Sequence, residues 1–130
     1  MIAVALALGS NANAEERQLT KKERHCYAAA VAFLDLPFEE EATLVGDGDL
    51  YFPSGSYFYR RVDVVDEWMR LSNITGHKRG FVRDYESFPE LIDTEKRMAR
   101  SAWERKEDRD LEALIKRALD CRLPDKELTS

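Results

Sequence analysis

Two cysteines, Cys26 and Cys121, carry the most reactive side chains of this sequence. A thiol becomes an effective nucleophile when a nearby imidazole takes its proton. His25 is adjacent to Cys26, but neighbouring residues of a helix point about 100° apart, so these two side chains cannot form a dyad. His77 could approach only through the fold. Because the thiols and histidines also lack the spacing of a zinc site, we predict no catalytic thiol, no metal and no cofactor.

The motif Asp47-Gly48-Asp49 places two carboxylates where they could bind calcium. An EF-hand loop also needs a glycine at its sixth position, which from Asp47 is occupied by Phe52. The motif is therefore predicted to be a solvated turn. An acidic chain still offers carboxylates for acid–base hydrolysis, although no two of them stand out in the sequence. A small secreted hydrolase that uses carboxylates or His77 stays open as an alternative function.

An aromatic segment between residues 51 and 59 suits binding better than catalysis. Five aromatic side chains fall within these nine residues, around a Pro-Ser-Gly-Ser bend. One helical face cannot bury all of them, and tyrosines exposed on a polar surface frequently anchor protein partners. The alternative is that the rings wrap the edge of the core. The partner-binding candidates of this segment are Tyr51, Tyr57 and Tyr59.

A small basic island, Gly76-His77-Lys78-Arg79-Gly80, lies in an irregular segment of this otherwise acidic chain that also contains Arg83. Cationic side chains grouped in a loop can bind a carboxylate or a phosphate. Alternatively, the loop is solvated, or it pairs internally with the acidic run Glu39 to Glu41. The partner-binding candidates of this segment are His77, Lys78, Arg79 and Arg83.

The first helix is predicted over residues 20–36. Thr20 and Glu23 fit a capping box, and Pro37 ends the helix. The apolar residues share one face, on which Cys26 points inward. Beyond this helix the helical periodicity disappears. Asp-Gly between two short apolar runs then indicates a possible short β-hairpin at residues 43–52.

A second helix is predicted over about residues 54–72, capped by the Ser54-Gly55-Ser56 bend. Apolar residues recur in it at helical spacing and predict a broad buried stripe that includes Val62. Asp66 and Arg70 have the i,i+4 spacing of an ion pair on the solvent side.

The third and fourth helices follow the basic island. Ser87 and Glu90 fit a second capping box, with Pro89 in the first turn, where it loses no helical hydrogen bond. The fourth helix is predicted over about residues 108–123 and ends at Pro124. Its apolar residues, like those of the first helix, are predicted to lie on one inward face, and they are Leu111, Leu114, Ile115, Ala118 and Cys121.

Cys26 and Cys121 thus lie on inward faces of the first and last helices. In an exported chain, an even pair of cysteines indicates one disulfide, which here would join the two ends of the domain. In a cytosolic chain the same pair would be two free, buried thiols. The sequence therefore couples the disulfide to the question of export.

The first fourteen residues have the pattern of a signal peptide. Residues 2–8 form an unbroken apolar run, and Ala12-Asn13-Ala14 precedes Glu15, with small residues where signal peptidase needs them. We therefore predict a leader at 1–14 and one domain at 15–130. The alternative is a buried β-strand over residues 2–8 that turns at Gly9-Ser10-Asn11, and Ala7 to Asn11 resembles the first strand of the folate-pathway pyrophosphokinases. The run is too short for the roughly 20 residues of a membrane span.

The net charge of the chain argues against some classes of binding partner. The formal net charge is −5, and charged residues make up 35% of the chain. An acidic surface repels the phosphates of nucleic acids and anionic lipid headgroups, so neither is a predicted partner. The high charged fraction suits a small helical protein with ion pairs on its outer faces.

Together these patterns predict an all-α fold, a compact bundle of about four helices. The predicted function is that of a small periplasmic or secreted binding protein without enzymatic activity, such as an inhibitor, an immunity protein or a chaperone. Its protein partner would lie in the cell envelope or outside the cell. The closing helix, with its Asp110 to Lys116 sequence, resembles in outline the helical periplasmic immunity proteins that neutralise type VI amidase effectors. A cytoplasmic helical protein with two free thiols is a further alternative.

Overall fold

In a computed structural model of the chain, residues 17–76 and 88–122 are described. They form four α-helices and one small antiparallel sheet. Helix α1 packs against each of the other three, and α4 also packs against α2 and α3. The predicted all-α bundle with a short hairpin is therefore confirmed, whereas the predicted leader lies outside the described residues. The helices are α1 (Lys21–Leu34), α2 (Arg61–Ile74), α3 (Pro89–Glu104) and α4 (Asp108–Leu119). Within the described ranges, no helix is long and apolar enough to cross a membrane.

The start of α1 is fixed by the predicted capping box. The backbone N–H of Glu23 donates to the Thr20 hydroxyl over 3.1 Å, and the N–H of Thr20 donates to the Glu23 carboxylate over 2.9 Å. Each bond satisfies an N–H group that the first turn of a helix leaves without an intrahelical partner. Arg17 holds the same carboxylate through two further bonds of 2.7 and 2.9 Å.

This arrangement predicts an acid-sensitive contribution to stability. The Arg17 guanidinium lowers the pKa of the Glu23 carboxyl from 4.5 to about 2. A carboxylate bound only in the folded state stabilises fully above its unfolded pKa, and this contribution is lost as the pH falls from about 4.5 toward 2. We expect Glu23→Gln to lower the free energy of unfolding at pH 6 by about 1 kcal/mol, since water screens the half-exposed Arg17.

Urea titrations at several pH values between 6 and 2 measure the effect. The wild type and the Glu23 variant should converge as the pH approaches 2. Glu104→Gln removes an exposed carboxylate from the last turn of another helix, α3, and serves as the control. A difference between wild type and the Glu23 variant that is the same at pH 6 and at pH 2 would contradict the prediction.

Helix α1 is the centre of the bundle. The sequence predicts one inward face, but the helix is buried on nearly all sides from Cys26 to Phe33. A helix that is apolar all round belongs inside a protein, and its alanines let the surrounding helices approach closely. Its buried residues are Cys26, Tyr27, Ala28, Ala29, Ala30, Ala32 and Phe33.

The predicted second helix is in fact two elements, a 3-10 helix at Tyr57–Arg60 followed by α2. A 3-10 turn contains three residues instead of 3.6, so the phase of the apolar pattern shifts where the two elements join. The predicted buried stripe is therefore partly wrong. Val62 is 67% exposed, and the buried residues of α2 are Val64, Glu67, Leu71 and Ser72.

The predicted ion pair between Asp66 and Arg70 is also wrong. Arg70 instead binds Glu67, with Nε 2.8 Å from Oε2, and its Nη2 donates to the carbonyl of Cys121 over 2.9 Å. Glu67 is only 3% exposed, and a buried carboxylate needs a cation or hydrogen-bond donors beside it. Arg70 supplies both and thereby connects α2 to the residues that directly follow α4.

The last two helices follow the prediction closely. Pro89 begins α3, while the predicted cap at Ser87 falls outside the described residues. A short turn with Lys106 at a φ of 56° then leads into α4. Helix α4 ends at Leu119, earlier than predicted, and its inward residues are the predicted Leu111, Leu114, Ile115 and Ala118.

Cys26 and Cys121 are joined in the structure, with their Cα atoms 6.3 Å apart and 95 residues between them in sequence. Cys26 is buried on α1, and Cys121 follows the end of α4. The predicted meeting of the two cysteines is thus confirmed. A disulfide is compatible with an oxidising environment, in which such bonds form and persist.

Candidate binding surface

A small β-hairpin projects from the helical bundle between α1 and α2. Its strands are β1 (Thr43–Leu44) and β2 (Leu50–Tyr51), paired so that Leu44 faces Leu50. The turn is closed by two backbone bonds, from the N–H of Val45 to the carbonyl of Asp49 over 2.9 Å and from the N–H of Gly48 to the carbonyl of Val45 over 2.8 Å. Gly48 adopts a φ of +83°, which a residue without a side chain tolerates at no steric cost.

A cluster of aromatic rings holds the base of the hairpin. The ring of Phe52, which follows β2, stacks on Phe58 with centroids 3.7 Å apart. The Arg61 guanidinium lies 3.9 Å from the centroid of the Phe58 ring. Tyr59 packs edge-on against both phenylalanines, and its hydroxyl donates to the carbonyl of Phe52 over 2.6 Å. These contacts support strands that are too short to be stable alone.

Glu41 fixes the other side of this segment. It ends a 3-10 helix at Phe38–Glu41, and its carboxylate accepts the backbone N–H groups of Tyr57 and Phe58 over 2.7 and 2.8 Å. It therefore caps the element that leads into α2 from 16 residues away in sequence. The predicted serine cap is wrong, since the Ser56 hydroxyl donates instead to the carbonyl of Pro53 over 2.6 Å.

The hairpin leaves its large apolar side chains in water. Both strands are exposed along their whole length. In the part of the chain that the structure describes, seven large apolar side chains are exposed, and six of them lie between residues 44 and 62. The seventh is Met98, on α3. We call the six the hairpin surface, and they are Leu44, Val45, Leu50, Tyr51, Tyr59 and Val62.

The three tyrosines predicted to bind a partner occupy different environments. Tyr51 and Tyr59 are both more than half exposed and belong to the hairpin surface. Tyr57 is half-buried, with its ring beside Trp103 and its hydroxyl donating to Asp108 over 2.8 Å. Burial and this hydrogen bond raise the pKa of the Tyr57 hydroxyl above its ordinary value. Tyr57 therefore lies at the edge of the core, which agrees with the alternative prediction that the rings of this segment wrap the core edge.

The apolar members of the hairpin surface were missed by the sequence analysis. Leu44, Val45 and Leu50 lie in or next to strands of two residues, and the sequence contains no signal that shows whether another element covers them. Val62 was assigned to the buried stripe of α2. The basic candidates His77, Lys78, Arg79 and Arg83 lie outside the described residues.

An acidic cleft of about 750 Å³ lies between Glu41 and the junction of α3 with α4. Three of the four carboxylates that line it, those of Glu40, Glu41 and Asp108, accept hydrogen bonds within the protein. Glu40 accepts the Trp103 indole N–H over 2.8 Å, and Asp108 accepts the Tyr57 hydroxyl. The first contact connects the first 3-10 helix to α3, and the second connects the 3-10 helix at Tyr57–Arg60 to α4, so together they position the base of the hairpin.

No protein-family profile, curated protein or solved structure matches this chain. Between residues 17 and 76 and between 88 and 122, no three histidine, cysteine or acidic side chains are grouped so as to hold a metal ion. The hairpin surface is thus the feature from which a function can be argued.

Proposed function

We propose that this protein is an exported, non-enzymatic binding protein whose hairpin surface contacts a protein partner. The observation that carries the proposal is the concentration of exposed large apolar side chains within residues 44–62. Burying such side chains against a partner releases the free energy that their exposure costs. Large apolar side chains exposed together along one segment, rather than scattered singly over the chain, favour a protein interaction site.

Two tyrosines strengthen this proposal. Tyr51 and Tyr59 combine a large ring with a hydroxyl, and they lose little conformational freedom when a partner covers them. The hydroxyl of Tyr59 is already fixed by its bond to the carbonyl of Phe52. Since an ordered side chain loses less entropy on association, this ring is prepared for binding.

Two features support export, the pattern of the first fourteen residues and the bonded pair of cysteines. The apolar run at residues 2–8 and the small residues before Glu15 have the pattern of a cleavable leader. The bonded cysteines suit the oxidising compartment to which such a leader would direct the chain. An inhibitor, an immunity protein or a small chaperone would act in this way, because each covers a surface of another protein.

Site-specific photo-crosslinking in the native host tests the proposal. Benzoylphenylalanine in place of Tyr51 should give one discrete adduct, which mass spectrometry then identifies. The same group in place of Met98 should give none. The two positions are matched, since Tyr51 is 55% and Met98 53% exposed.

A second variant distinguishes contact from proximity. Leu44→Ser together with Leu50→Ser should weaken the adduct from position 51 severalfold, because it removes most of the apolar area beside that residue. Both leucines are more than half exposed, so the fold should survive, which circular dichroism checks. Equal adducts from positions 51 and 98, or none from either, would overturn the proposal.

A further inference from the structure

We infer that the partner presents a basic, extended segment to the hairpin surface, an inference that rests on the proposed function. The inference is based on the charge of the residues in and around the hairpin. Residues 38–56 contain five acidic side chains and no lysine, arginine or histidine. The five acids are Glu39, Glu40, Glu41, Asp47 and Asp49.

The cations nearest in sequence, Arg60 and Arg61, lie at the base of the hairpin, and Lys106 lines the cleft beside Glu40 and Glu41. Arg60 binds the carboxylate of Glu112 on α4 over 2.9 Å. Arg61 lies on the ring of Phe58 and donates to the carbonyl of the same residue over 3.0 Å. Both guanidinium groups are thus engaged at the base of the segment, whereas Asp47 and Asp49 stand exposed at its tip. A partner that covers this surface must bring positive charge.

The backbone of the hairpin indicates an extended segment. Among the described residues, β1 and β2 pair only with each other, so each strand has an outer edge without a neighbouring strand. An extended chain can add to such an edge through main-chain hydrogen bonds, while its alternate side chains select the partner. Apolar side chains of that segment would cover Leu44 or Tyr51, and cationic ones would reach Asp47 and Asp49.

Charge also argues against a second copy of this chain as the occupant. Two hairpins placed together would bring the exposed Asp47 and Asp49 of one copy against those of the other, and like charges at an interface are costly. The occupant that fits is therefore a different protein, with lysine or arginine alternating with apolar residues.

Two labelled peptides test the inference on the full chain. One alternates valine with lysine, and the other alternates valine with glutamate. Fluorescence anisotropy should show the lysine peptide binding about tenfold more tightly at low salt, with the advantage falling as the salt concentration rises. In a ¹⁵N-labelled sample, the largest amide shifts should fall on residues 43–52.

Two pairs of variants locate the effect. Asp47→Ser with Asp49→Ser should weaken the lysine peptide about threefold to tenfold, because the two exposed charges at the hairpin tip are lost. The control Glu90→Gln with Asp93→Asn removes the same charge from α3 and should leave the affinity unchanged. Likewise, Leu44→Ser with Leu50→Ser should weaken binding, and Met98→Ser should not.

Four results would overturn the inference. They are equal affinity for the two peptides, a preference for the glutamate peptide, binding of neither peptide, and amide shifts that fall away from the hairpin. A dimer in sedimentation that Leu44→Ser with Leu50→Ser abolishes would make a second copy the occupant. The photo-crosslinking experiment separates this failure from failure of the proposed function. If the crosslinked adduct from position 51 forms and Leu44→Ser with Leu50→Ser weakens it, the proposed function stands and only the inferred chemistry of the partner is wrong.

Discussion

Reduction of the disulfide between Cys26 and Cys121 is expected to lower the free energy of unfolding by about 4 kcal/mol. The bond closes a loop over a sequence separation of 95 residues. A cross-link of that span removes much of the conformational freedom of the unfolded chain, for which loop-closure entropy gives a cost of this size. Such a loss is a large part of the 5–15 kcal/mol that usually stabilises a domain, so the melting temperature should fall by roughly 15–30 °C.

Urea titrations of the wild type with and without reductant measure the effect without changing any side-chain volume. The variant Cys26→Ala with Cys121→Ser should resemble the reduced wild type and should not respond to reductant. Intact mass from a secretion-competent host checks the compartment at the same time. The expected species lacks residues 1–14 and gains two hydrogens on reduction. An unchanged urea midpoint after verified reduction would contradict the prediction.

Local patterns made much of the helical fold predictable. Thr20 and Glu23 define the start of α1 because a capping box involves only the first turn of a helix. The apolar spacing of α4 correctly placed Leu111 and Ala118 inward. With helices assigned at both ends of the chain, the inward cysteines could be expected to meet.

The contacts that sequence reasoning missed all join residues distant in the chain or depend on burial. Arg70 was assigned to Asp66 by helical spacing, but the pairing is decided by Glu67, which is buried and needs a cation. The phase of α2 was misjudged because the preceding 3-10 turn is stabilised by Glu41, from outside the element. Such a contact leaves no periodic trace in the sequence.

The candidate binding surface, like the fold, was only partly predictable from the sequence. An excess of aromatic rings correctly indicated that some tyrosines between 51 and 59 would be exposed. Which of them are exposed depends on Asp108 and Trp103, which fix Tyr57 from the far end of the chain. The apolar residues of the hairpin were overlooked because a pattern of apolar residues ordinarily indicates burial, and burial depends on what covers a strand.

Loss of the Glu41 carboxylate is the second change with a large expected effect. In Glu41→Ala, the backbone N–H groups of Tyr57 and Phe58 lose their acceptor at the start of the second 3-10 helix. Charge-assisted hydrogen bonds to partly buried groups are each worth about 1.5–3 kcal/mol, so the free energy of unfolding should fall by about 2–3 kcal/mol after water replaces part of the loss. Glu41→Gln keeps one amide oxygen as acceptor and should fall between the wild type and the alanine variant.

The matched control is Glu39→Ala, which removes an exposed carboxylate from the same 3-10 helix. Its unfolding free energy should stay within about 0.5 kcal/mol of the wild type. Because Glu41 anchors residues 57 and 58, its loss should also loosen the stacking of Phe52 on Phe58 and raise amide hydrogen exchange across residues 43–52. If urea titration finds Glu41→Ala as stable as Glu39→Ala, the carboxylate does not hold the hairpin, and its base depends on the aromatic contacts alone.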